Sequence, residues 1–445
     1  MKLTKVSLAA LVALGAFSSV ASATPLEEAI KNVDLSGFAR YRYTNDNRDR
    51  KADTKAGTND TAGHAFRMET AFKAAIDDNF FGVLRLRYAA TDGSGDNAGV
   101  GTDKTNTTGT FGVYEMYLGY KVANTTITAG KQLVKGFFID SDIAGTGLKV
   151  VSTDVPGLTL TAAAYDAIDN DAEVDLNAPV APAVVGTPKK DAFGHIKYKA
   201  KSPDIDGPLL SRLGSDEFSD AAGNIYNLGA MGNYDPVSFK VAITNIQEVA
   251  TLYGTEAGVS FNVTDDVNLN LKGQYAYSDS DHKKVADATF WAVQAGTKLF
   301  GAKLNAGYLD FDAKNKENDA KNKDKIAFTS IDGNGELINP TKILNGVMSG
   351  GSQYYNNIKG NNDYWFVNAG YDIDKFGFGA GYTQGKGTSY ALGKERAKRN
   401  EWSLDASYKY SKKLTFLSWY AAAKDKKDGE SYKQDRIRFE AKYSF

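Results

Sequence analysis

The last eleven residues of the chain read DRIRFEAKYSF, from Asp435 to Phe445, and from Arg436 onward they alternate strictly between polar and apolar side chains. The polar positions include three basic residues, Arg436, Arg438 and Lys442. Alternation with a period of two predicts an extended strand with one apolar face and one polar face. A basic side chain facing lipid at the bilayer midplane costs about 2–4 kcal/mol, so the polar face of a membrane strand has to meet water. The stretch therefore fits a transmembrane barrel or a soluble β-sandwich, and the rest of the chain distinguishes them.

The amino terminus has the features of a secretory signal. Lys2 and Lys5 precede an apolar stretch from Val6 to Phe17, and Ala21-Ser22-Ala23 forms a small-residue cleavage site. The apolar stretch is too short to span a membrane as a helix, and no other stretch approaches the roughly 18 uncharged apolar residues that a spanning helix needs. We therefore predict that residues 1–23 are a signal peptide and that the exported chain, 24–445, contains no membrane-spanning helix.

The overall composition excludes several classes of protein. The 53 basic and 54 acidic residues nearly cancel, which gives no indication of nucleic-acid binding. Cysteine is absent, so the chain has neither a disulfide framework nor thiol chemistry. A mean hydropathy of −0.39 suits a soluble protein, but it also suits a barrel with a polar lumen and long loops. The 25 tyrosines and 23 phenylalanines are typical of aromatic girdles at membrane interfaces.

Eighteen alternating segments can be placed from Asp34 onward, and most are close to the 9–11 residues with which a tilted strand crosses a membrane. They lie at 34–43, 65–76, 80–90, 111–122, 125–132, 146–153, 158–166, 224–234, 237–246, 252–263, 267–277, 289–299, 302–311, 362–373, 376–384, 399–410, 414–423 and 433–445.

The connections between these segments alternate between short and long. The short ones consist of Asp, Asn, Gly and Pro residues of hairpin length, such as Asp235-Pro236 and Phe300-Gly301. The two longest ones are residues 167–223 and 312–361. Sorting the connections in this way is typical of outer-membrane barrels, and a soluble sandwich has no reason to do it. We predict a single-domain, all-β transmembrane antiparallel barrel of about 18 strands, with short periplasmic turns and long extracellular loops. It would contact outer-membrane lipid and lipopolysaccharide.

Arginines concentrate on the polar face of the last segment and of the first three. These four segments become neighbours when a barrel closes by pairing its first strand with its last. Later segments place mostly uncharged polar residues on this face, such as Asn268, Asn270 and Gln274. We interpret the arginines as a basic wall of a pore, although any barrel lumen needs some polar lining. The wall consists of Arg40, Arg42, Arg67, Arg85, Arg87, Arg436 and Arg438.

A transverse field across a pore requires acidic groups opposite the basic wall. The candidates are Glu115 on the fourth segment and Asp140 and Asp142 in the third connection, KGFFIDSD at 135–142. The alternative is that these acids lie on surface loops. The third connection is short, so the constriction could instead come from 167–223 or 312–361.

Catalytic and metal-binding motifs are missing from the sequence. His64, His195 and His282 have no metal-ligand spacing, and no G-x-S-x-G motif occurs. We therefore predict no metal site and no enzymatic activity. The favoured function is passive diffusion of ions and small hydrophilic solutes. The alternatives are a substrate-specific channel and a surface adhesin or structural barrel.

Several stretches resemble the major outer membrane porin family of campylobacters and related bacteria. They are TPLEEAIKNVDLSGFARYRY at 24–43, AGKQ at 129–132, GTGLKVV at 145–151, GLTL at 157–160 and the terminal KYSF. The resemblance implies an eighteen-stranded, homotrimeric general-diffusion porin with mild cation selectivity, although a monomeric relative is conceivable. It requires no cofactor. It allows bound calcium near the constriction but assigns no calcium ligand in this sequence.

Overall fold

The computed structural model describes residues 33–50, 61–94, 111–137, 139, 142–169, 189–190, 196–197, 224–315, 321–322, 325–331, 335–344, 360–389 and 395–445. The predicted signal peptide and Asp140 lie outside these residues. Among the residues described, no helix is long and apolar enough to cross a membrane.

The strands of the main sheet are β1 (Val33–Arg50), β2 (Thr61–Ala75), β3 (Phe80–Ser94), β4 (Gly112–Val122), β5 (Thr125–Leu133), β6 (Ala144–Ser152), β7 (Leu158–Asp169), β8 (Ile225–Tyr234), β9 (Val237–Ile246), β10 (Ala250–Thr264), β11 (Val267–Ser280), β12 (Ala288–Leu299), β13 (Ala302–Ala313), β14 (Asn361–Ile373), β15 (Phe376–Ser389), β16 (Glu395–Lys409), β17 (Leu414–Lys427) and β18 (Glu430–Ser444). A separate two-residue ladder, Lys189–Lys190 with Ile196–Lys197, lies in the connection between β7 and β8.

These strands form one closed antiparallel barrel of 18 strands. Each strand pairs with the next along the chain, and the ladder between β1 and β18 closes the cylinder, with Arg40 opposite Lys442. Across the longest connection, β7 still pairs directly with β8, with Tyr165 opposite Ile225. Closure leaves no unpaired sheet edge, which is the condition for a β-structure to span lipid. The predicted fold class is confirmed.

The alternation in the terminal strand separates the two faces as predicted. The side chains of Ile437, Phe439 and Tyr443 are 45%, 39% and 44% exposed on the outer surface. Arg436, directly before Ile437 in sequence, is only 6% exposed and lies inside the barrel. The outer band is therefore apolar and suited to lipid, while the basic residues of this strand face the lumen.

One rim carries the tight turns. Phe300 and Gly301 both have positive φ values, 47° and 86°. A two-residue hairpin turn of type I′ requires positive φ at both positions, and its twist matches that of the flanking strands. At another turn, Asp154 accepts hydrogen bonds from the Asn124 backbone N–H at 3.0 Å and the Thr125 hydroxyl at 2.6 Å, which ties neighbouring turns together. We call this the short-turn rim and the opposite one the long-loop rim.

Toward the long-loop rim, several strands extend beyond the predicted membrane segments. The first was predicted to end at residue 43, but β1 runs to Arg50. It pairs with β2 as far as Asp46 and with β18 as far as Arg50. The predicted loop at 424–432 is instead a two-residue turn, Asp428-Gly429, between long strands. Polar residues continue the alternation there, because a ladder outside the membrane can remain paired with both faces in water.

The barrel interior is less polar than we predicted. Toward the long-loop rim, the inner faces of β10 to β14 carry apolar side chains that are essentially inaccessible to solvent, including Leu252, Phe290, Leu309, Phe311 and Phe366. They belong to one hydrophobic cluster with Ile139 from the third connection and with Phe328, Ile331, Leu337 and Ile343 from the connection after β13. The inner face is apolar here because two connections fold into the barrel and cover it.

Candidate channel lining and constriction

The seven arginines of the predicted wall lie on neighbouring strands β18, β1, β2 and β3. Arg40 is directly opposite Arg67 in the ladder between β1 and β2, and Arg87 is opposite Glu69 between β2 and β3. Arg438 is opposite Thr44 of β1 and donates a hydrogen bond to its hydroxyl at 3.3 Å. Directly paired residues share a face, so the closure of the sheet brings these side chains together.

Carboxylates are interleaved with these arginines. Glu69 is 4% exposed, and its Oε1 accepts hydrogen bonds from Nη2 of Arg67 at 2.6 Å and from Nε of Arg87 at 2.9 Å. Its Oε2 accepts a hydrogen bond from a third arginine, from Nη1 of Arg85 at 3.3 Å. One buried carboxylate therefore balances part of the charge of three arginines.

Two further carboxylates balance arginine charge nearer the seam between β1 and β18. Asp46, fully buried, accepts hydrogen bonds from Arg48 at 2.9 Å, Arg436 at 3.0 Å and Gln434 at 2.6 Å. Glu440 accepts a hydrogen bond from Nε of Arg42 at 3.0 Å. We call the whole set the charged wall: the seven arginines together with Asp46, Glu69, Glu115 and Glu440. It is a lattice of paired charges rather than the purely basic surface that we predicted.

Glu115 was predicted to lie opposite the arginines, and the structure corrects this placement. A register shift in the ladder between β3 and β4 leaves Tyr114 without a direct partner and sets Glu115 opposite Arg85. Tyr114 and Glu115 are both buried on the inner face, at 8% and 4% exposed, respectively. Such a bulge breaks the alternation locally, because two consecutive residues point to the same side. Glu115 therefore forms an ion pair with the adjacent Arg85, with 2.7 Å between Oε2 and Nε.

Tyr114, which sequence reasoning missed, supports the wall from the same bulge. The guanidinium carbon of Arg87 lies 3.3 Å from the Tyr114 ring centroid. The Tyr114 hydroxyl donates a hydrogen bond to the backbone carbonyl of Asp142 at 2.6 Å. The ring thus connects the wall to the third connection, and its position depends on the bulge rather than on a sequence motif.

Asp142 reaches the wall from the third connection. Its carboxylate accepts a hydrogen bond from Nη1 of Arg67 at 2.9 Å and lies 3.7 Å from Nη2 of Arg87. Burial acts to raise the pKa of Asp142. The hydrogen bond from Arg67 and the positive charges of Arg67, Arg87 and Arg40 outweigh that effect and hold the pKa below its usual value.

Residues 325–331 and 335–344, in the connection after β13, are held inside the barrel by polar anchors. The Glu401 carboxylate of β16, 3% exposed, accepts hydrogen bonds from three consecutive backbone N–H groups, those of Lys342, Ile343 and Leu344, at 2.6–2.8 Å. Gln274 of β11 donates to the carbonyl of Glu336 at 2.9 Å and accepts from the N–H of Ile338 at 2.7 Å.

Two ion pairs add to these anchors, Lys240 with Glu336 and Lys342 with Asp405. The long connection 312–361 thus contributes a segment that lies across the lumen, as one of our alternatives predicted.

The two inserted connections also contact each other. Ile139 forms a parallel bridge with Ile331, and the N–H of Glu336 donates to the carbonyl of Phe137 at 3.0 Å. The described residues of the third connection therefore narrow the lumen together with residues 325–331 and 335–344. Which connection forms the constriction could not be predicted from loop length, because the contacts join segments about 190 residues apart.

The acids that the structure describes in this region do not fit a calcium site. Glu69, Glu115 and Asp142 each face at least one arginine guanidinium, whose positive charge opposes a second cation. Within the described residues, no group of three or more His, Asp or Glu side chains is placed to hold a metal ion.

Comparisons with known proteins agree with this architecture. No curated protein matches the sequence significantly. Among solved structures, the chain is similar to OpdQ of Pseudomonas aeruginosa, at 13% identity and a TM-score of 0.61, over 93% of this chain and 99% of that one. It is also similar to OccAB4 of Acinetobacter baumannii, at 12% identity and a TM-score of 0.61, over 93% and 98% of the two chains. The outer membrane protein OprD from P. aeruginosa is similar at 13% identity and a TM-score of 0.58, over 92% and 93%.

At these identities, the likeness to solved structures concerns the fold. A comparison with models of protein families decides the family. The family model described as Campylobacter major outer membrane protein matches residues 1–445, the whole sequence. The chain therefore belongs to the Campylobacter major outer membrane protein family and is located in the outer membrane.

Proposed function

We propose that this outer-membrane porin passes ions and small hydrophilic solutes by passive diffusion along the charged wall. The observation that carries the proposal is the asymmetry of the lumen. Residues 325–331 and 335–344 cover the apolar inner face of β10 to β14, whereas Arg85 and Asp142 keep side-chain exposures of 30% and 34%. Solutes therefore pass on the side where charged groups remain accessible to water.

Selection in such a channel requires no covalent chemistry. The third connection and residues 325–331 and 335–344 limit the size of the solute. The guanidinium and carboxylate groups of the wall replace part of its hydration shell. Because the arginines are largely paired, the wall exerts a weaker net field than seven unpaired positive charges would. A weak net field is compatible with the mild cation selectivity that the family resemblance implies.

We further propose export with removal of residues 1–23 and assembly as a homotrimer. The signal peptide is supported by the sequence pattern at the amino terminus. The trimer rests on the family resemblance. Cross-linking of the purified protein in mild detergent, followed by mass determination, tests it, and a monomeric mass would contradict it.

Replacing Arg40, Arg42 and Arg85 together by Gln tests the role of the wall. Glu69, Glu115 and Glu440 would keep their negative charges and lose arginine partners, so we expect higher cation preference and higher conductance. The measurement is the reversal potential of single channels in planar bilayers under a salt gradient.

The matched control for this experiment is replacement of Lys375, Lys412 and Lys413 by Gln, an equal change of charge at exposed turns of the short-turn rim. An unchanged reversal potential in the arginine variant, or an equal shift in the control, would contradict a selective role of the wall. Saturable block of the conductance by one class of solute would instead favour a substrate-specific channel.

A further inference from the structure

Five lysines form a patch on the outer face of the barrel near the long-loop rim, and we call it the lysine belt. Lys386 of β15 is directly opposite Lys398 of β16, and Lys398 is directly opposite Lys426 of β17. In the next row on the same face, two residues from Lys426 along β17, Lys424 is directly opposite Lys433 of β18. Directly opposite residues share a face and have Cβ atoms about 4.5–5.5 Å apart, so the five amines lie close together.

The alternation of the strands places this belt outside the barrel. Lys386, Lys398 and Lys424 each lie four residues from an aromatic on the same face: Tyr382, Trp402 and Tyr420, respectively. The rings are grouped, with centroids 5.2 Å apart between Trp402 and Tyr420 and 5.4 Å apart between Trp365 and Tyr382.

Trp and Tyr grouped on the outer face mark the level of a membrane interface. Four residues of a strand tilted by roughly 40° rise about 10 Å along the bilayer normal, which places the belt at the level of the lipid headgroups.

The protein balances the charge of the belt only in part, at its two ends. Asp363 of β14 is directly opposite Lys386 but is paired with Arg396, and Asp49 of β1 is directly opposite Lys433, with Asp435 two residues further along β18. The described outer face of β15 to β17 carries no acid, so Lys398, Lys424 and Lys426 face only other lysines and uncharged residues. Within the described residues, none of the five lysines forms an ion pair with an acid. Like charges placed directly opposite each other in a ladder repel and destabilise the pairing. A bound anion would remove that repulsion.

The belt is also local rather than a general property of this rim. On the outer face of β10, β11 and β12, the corresponding end of the barrel carries Thr251, Asp279 and Thr289. A barrel that only needed a polar rim could use such residues throughout. Concentration of lysines on four adjacent strands, above aromatic side chains, therefore indicates a binding surface for an anion of the membrane itself.

We propose that the lysine belt binds the phosphate groups of lipopolysaccharide headgroups in the outer leaflet. The proposal rests on the outer-membrane location of the chain and is independent of how the lumen conducts. Flexible ammonium groups suit phosphates as mobile point charges, and their alkyl chains can lie along the apolar surface below. The aromatic side chains would contact the upper part of the acyl region, so that a lipid docks with its phosphates on the belt.

The test compares two variants of the full-length mature protein in detergent. One replaces Lys398, Lys426 and Lys433 by Gln, and the control replaces the exposed turn lysines Lys375, Lys412 and Lys413 by Gln. The probes are fluorescent rough-type lipopolysaccharide, the same lipid after enzymatic removal of its phosphates, and inorganic phosphate as a competitor. We expect roughly 100-fold weaker binding for the belt variant, equivalent to about 3 kcal/mol at about 1 kcal/mol per lysine near an anionic surface.

The control variant should bind as the wild type does, and dephosphorylated lipid should bind wild type as weakly as intact lipid binds the belt variant. Raised salt should also reduce wild-type binding, because the contacts are exposed. Equal affinity of the two variants, or undiminished binding of the dephosphorylated lipid, would overturn the proposal. Complete displacement by millimolar inorganic phosphate would also overturn it, in favour of a site for free anions.

A second measurement needs no variant. Amine-reactive labelling of the wild type, read by peptide mass spectrometry, should show at least roughly tenfold slower modification of Lys398 and Lys426 when lipopolysaccharide is present. Lys412 and Lys413 should label at the same rate with and without the lipid. Equal protection of both sets, or of neither, would contradict binding at the belt.

Discussion

At the scale of single residues, Glu69 and Asp142 show how the charged wall is held. Glu69 is buried and accepts hydrogen bonds from three arginines, so the guanidinium groups remain ionised inside the barrel without an uncompensated charge. Asp142 adds a carboxylate from a connection and thereby attaches that connection to the same arginines. The arrangement restricts both the guanidinium positions and the third connection, which defines one side of the passage.

The pKa of Asp142 gives a prediction about pH. A carboxyl group whose pKa is lowered in the folded state contributes stability above its unfolded pKa, and that contribution is lost only as the pH falls through the lower folded value. The Arg67 contact holds the pKa of Asp142 below its usual value. The size of the conductance fluctuations of the wild type should therefore stay constant from pH 7 down to about pH 4. Asp142→Asn should fluctuate more at pH 7, because the connection loses its ionic contact with Arg67.

The two proteins should become alike only below about pH 4, where the wild-type carboxyl is protonated as well. Single-channel recordings across this pH range provide the measurement. If the wild type already behaves like Asp142→Asn at pH 5 or 6, the ion pair with Arg67 is not what holds the connection.

Individual side chains were predictable from sequence where the alternation was regular. Arg40, Arg67 and Arg436 followed the period of two and lie in the lumen as expected. Tyr114 and Glu115 could not be placed in this way, because a bulge changes the phase and nothing in the local sequence announces it. Glu440 followed the polar face of the terminal strand, whereas Asp46 lay beyond the predicted end of the first strand at residue 43. The pairing of both with particular arginines depends on the register across the closing seam.

At the scale of elements, the strands and the connections differ in how far sequence could define them. Strand cores were predictable because lipid on one side and water on the other impose a strict period. Strand ends near the long-loop rim were not, because above the membrane that constraint disappears and β1 continues to Arg50 with polar residues on both faces. The fold of residues 325–331 and 335–344 depends on contacts with β11 and β16, which no local pattern reveals.

Replacing Glu401 by Ala tests how that connection is held. The carboxylate satisfies three backbone N–H groups in a buried position, and a hydrogen bond to a charged group contributes about 1.5–3 kcal/mol. We expect residues 325–344 to detach from β16, which would raise single-channel conductance and make the open state noisier. Planar-bilayer recordings of the variant provide the measurement.

Asp405→Ala is the matched control, since Asp405 lies on the same strand and binds the same connection through Lys342. The two side chains of that pair are 28% and 35% exposed, and exposed ion pairs contribute little. Its conductance should stay close to that of the wild type. Equal conductance in Glu401→Ala and Asp405→Ala would show that the carboxylate of Glu401 does not control the constriction.

At the scale of the whole molecule, the barrel is asymmetric across its lumen. The charged wall lies on β18 and β1 to β4, while the opposite inner face is apolar and covered by the inserted connections. Such a covered face buries apolar side chains inside a membrane barrel and gives it an internal hydrophobic core. The lysine belt adds an external asymmetry on β15 to β18. Both the inner and the outer surface of the barrel therefore concentrate charged side chains on one part of the circumference.

The apolar outer face is what inserts the whole barrel in lipid, and the terminal strand allows a direct test. Phe439 lies on this face between the outer-face aromatic side chains near the two rims. It is directly opposite Tyr43 of β1 and Ser418 of β17. Phe439→Lys should therefore cost about 2–4 kcal/mol of folding free energy in a bilayer, and Tyr443→Lys less, because the cost falls toward the interface. Ser444→Lys should be tolerated, since Ser444 pairs with the lumen-facing Phe38. Refolding into phosphatidylcholine vesicles, followed by heat-modifiable migration in gels and by urea titration, gives the three free energies. Equal losses for Phe439→Lys and Ser444→Lys would mean that the two faces of the strand are not distinguished by lipid, and the placement of the arginines in the lumen would be wrong with it.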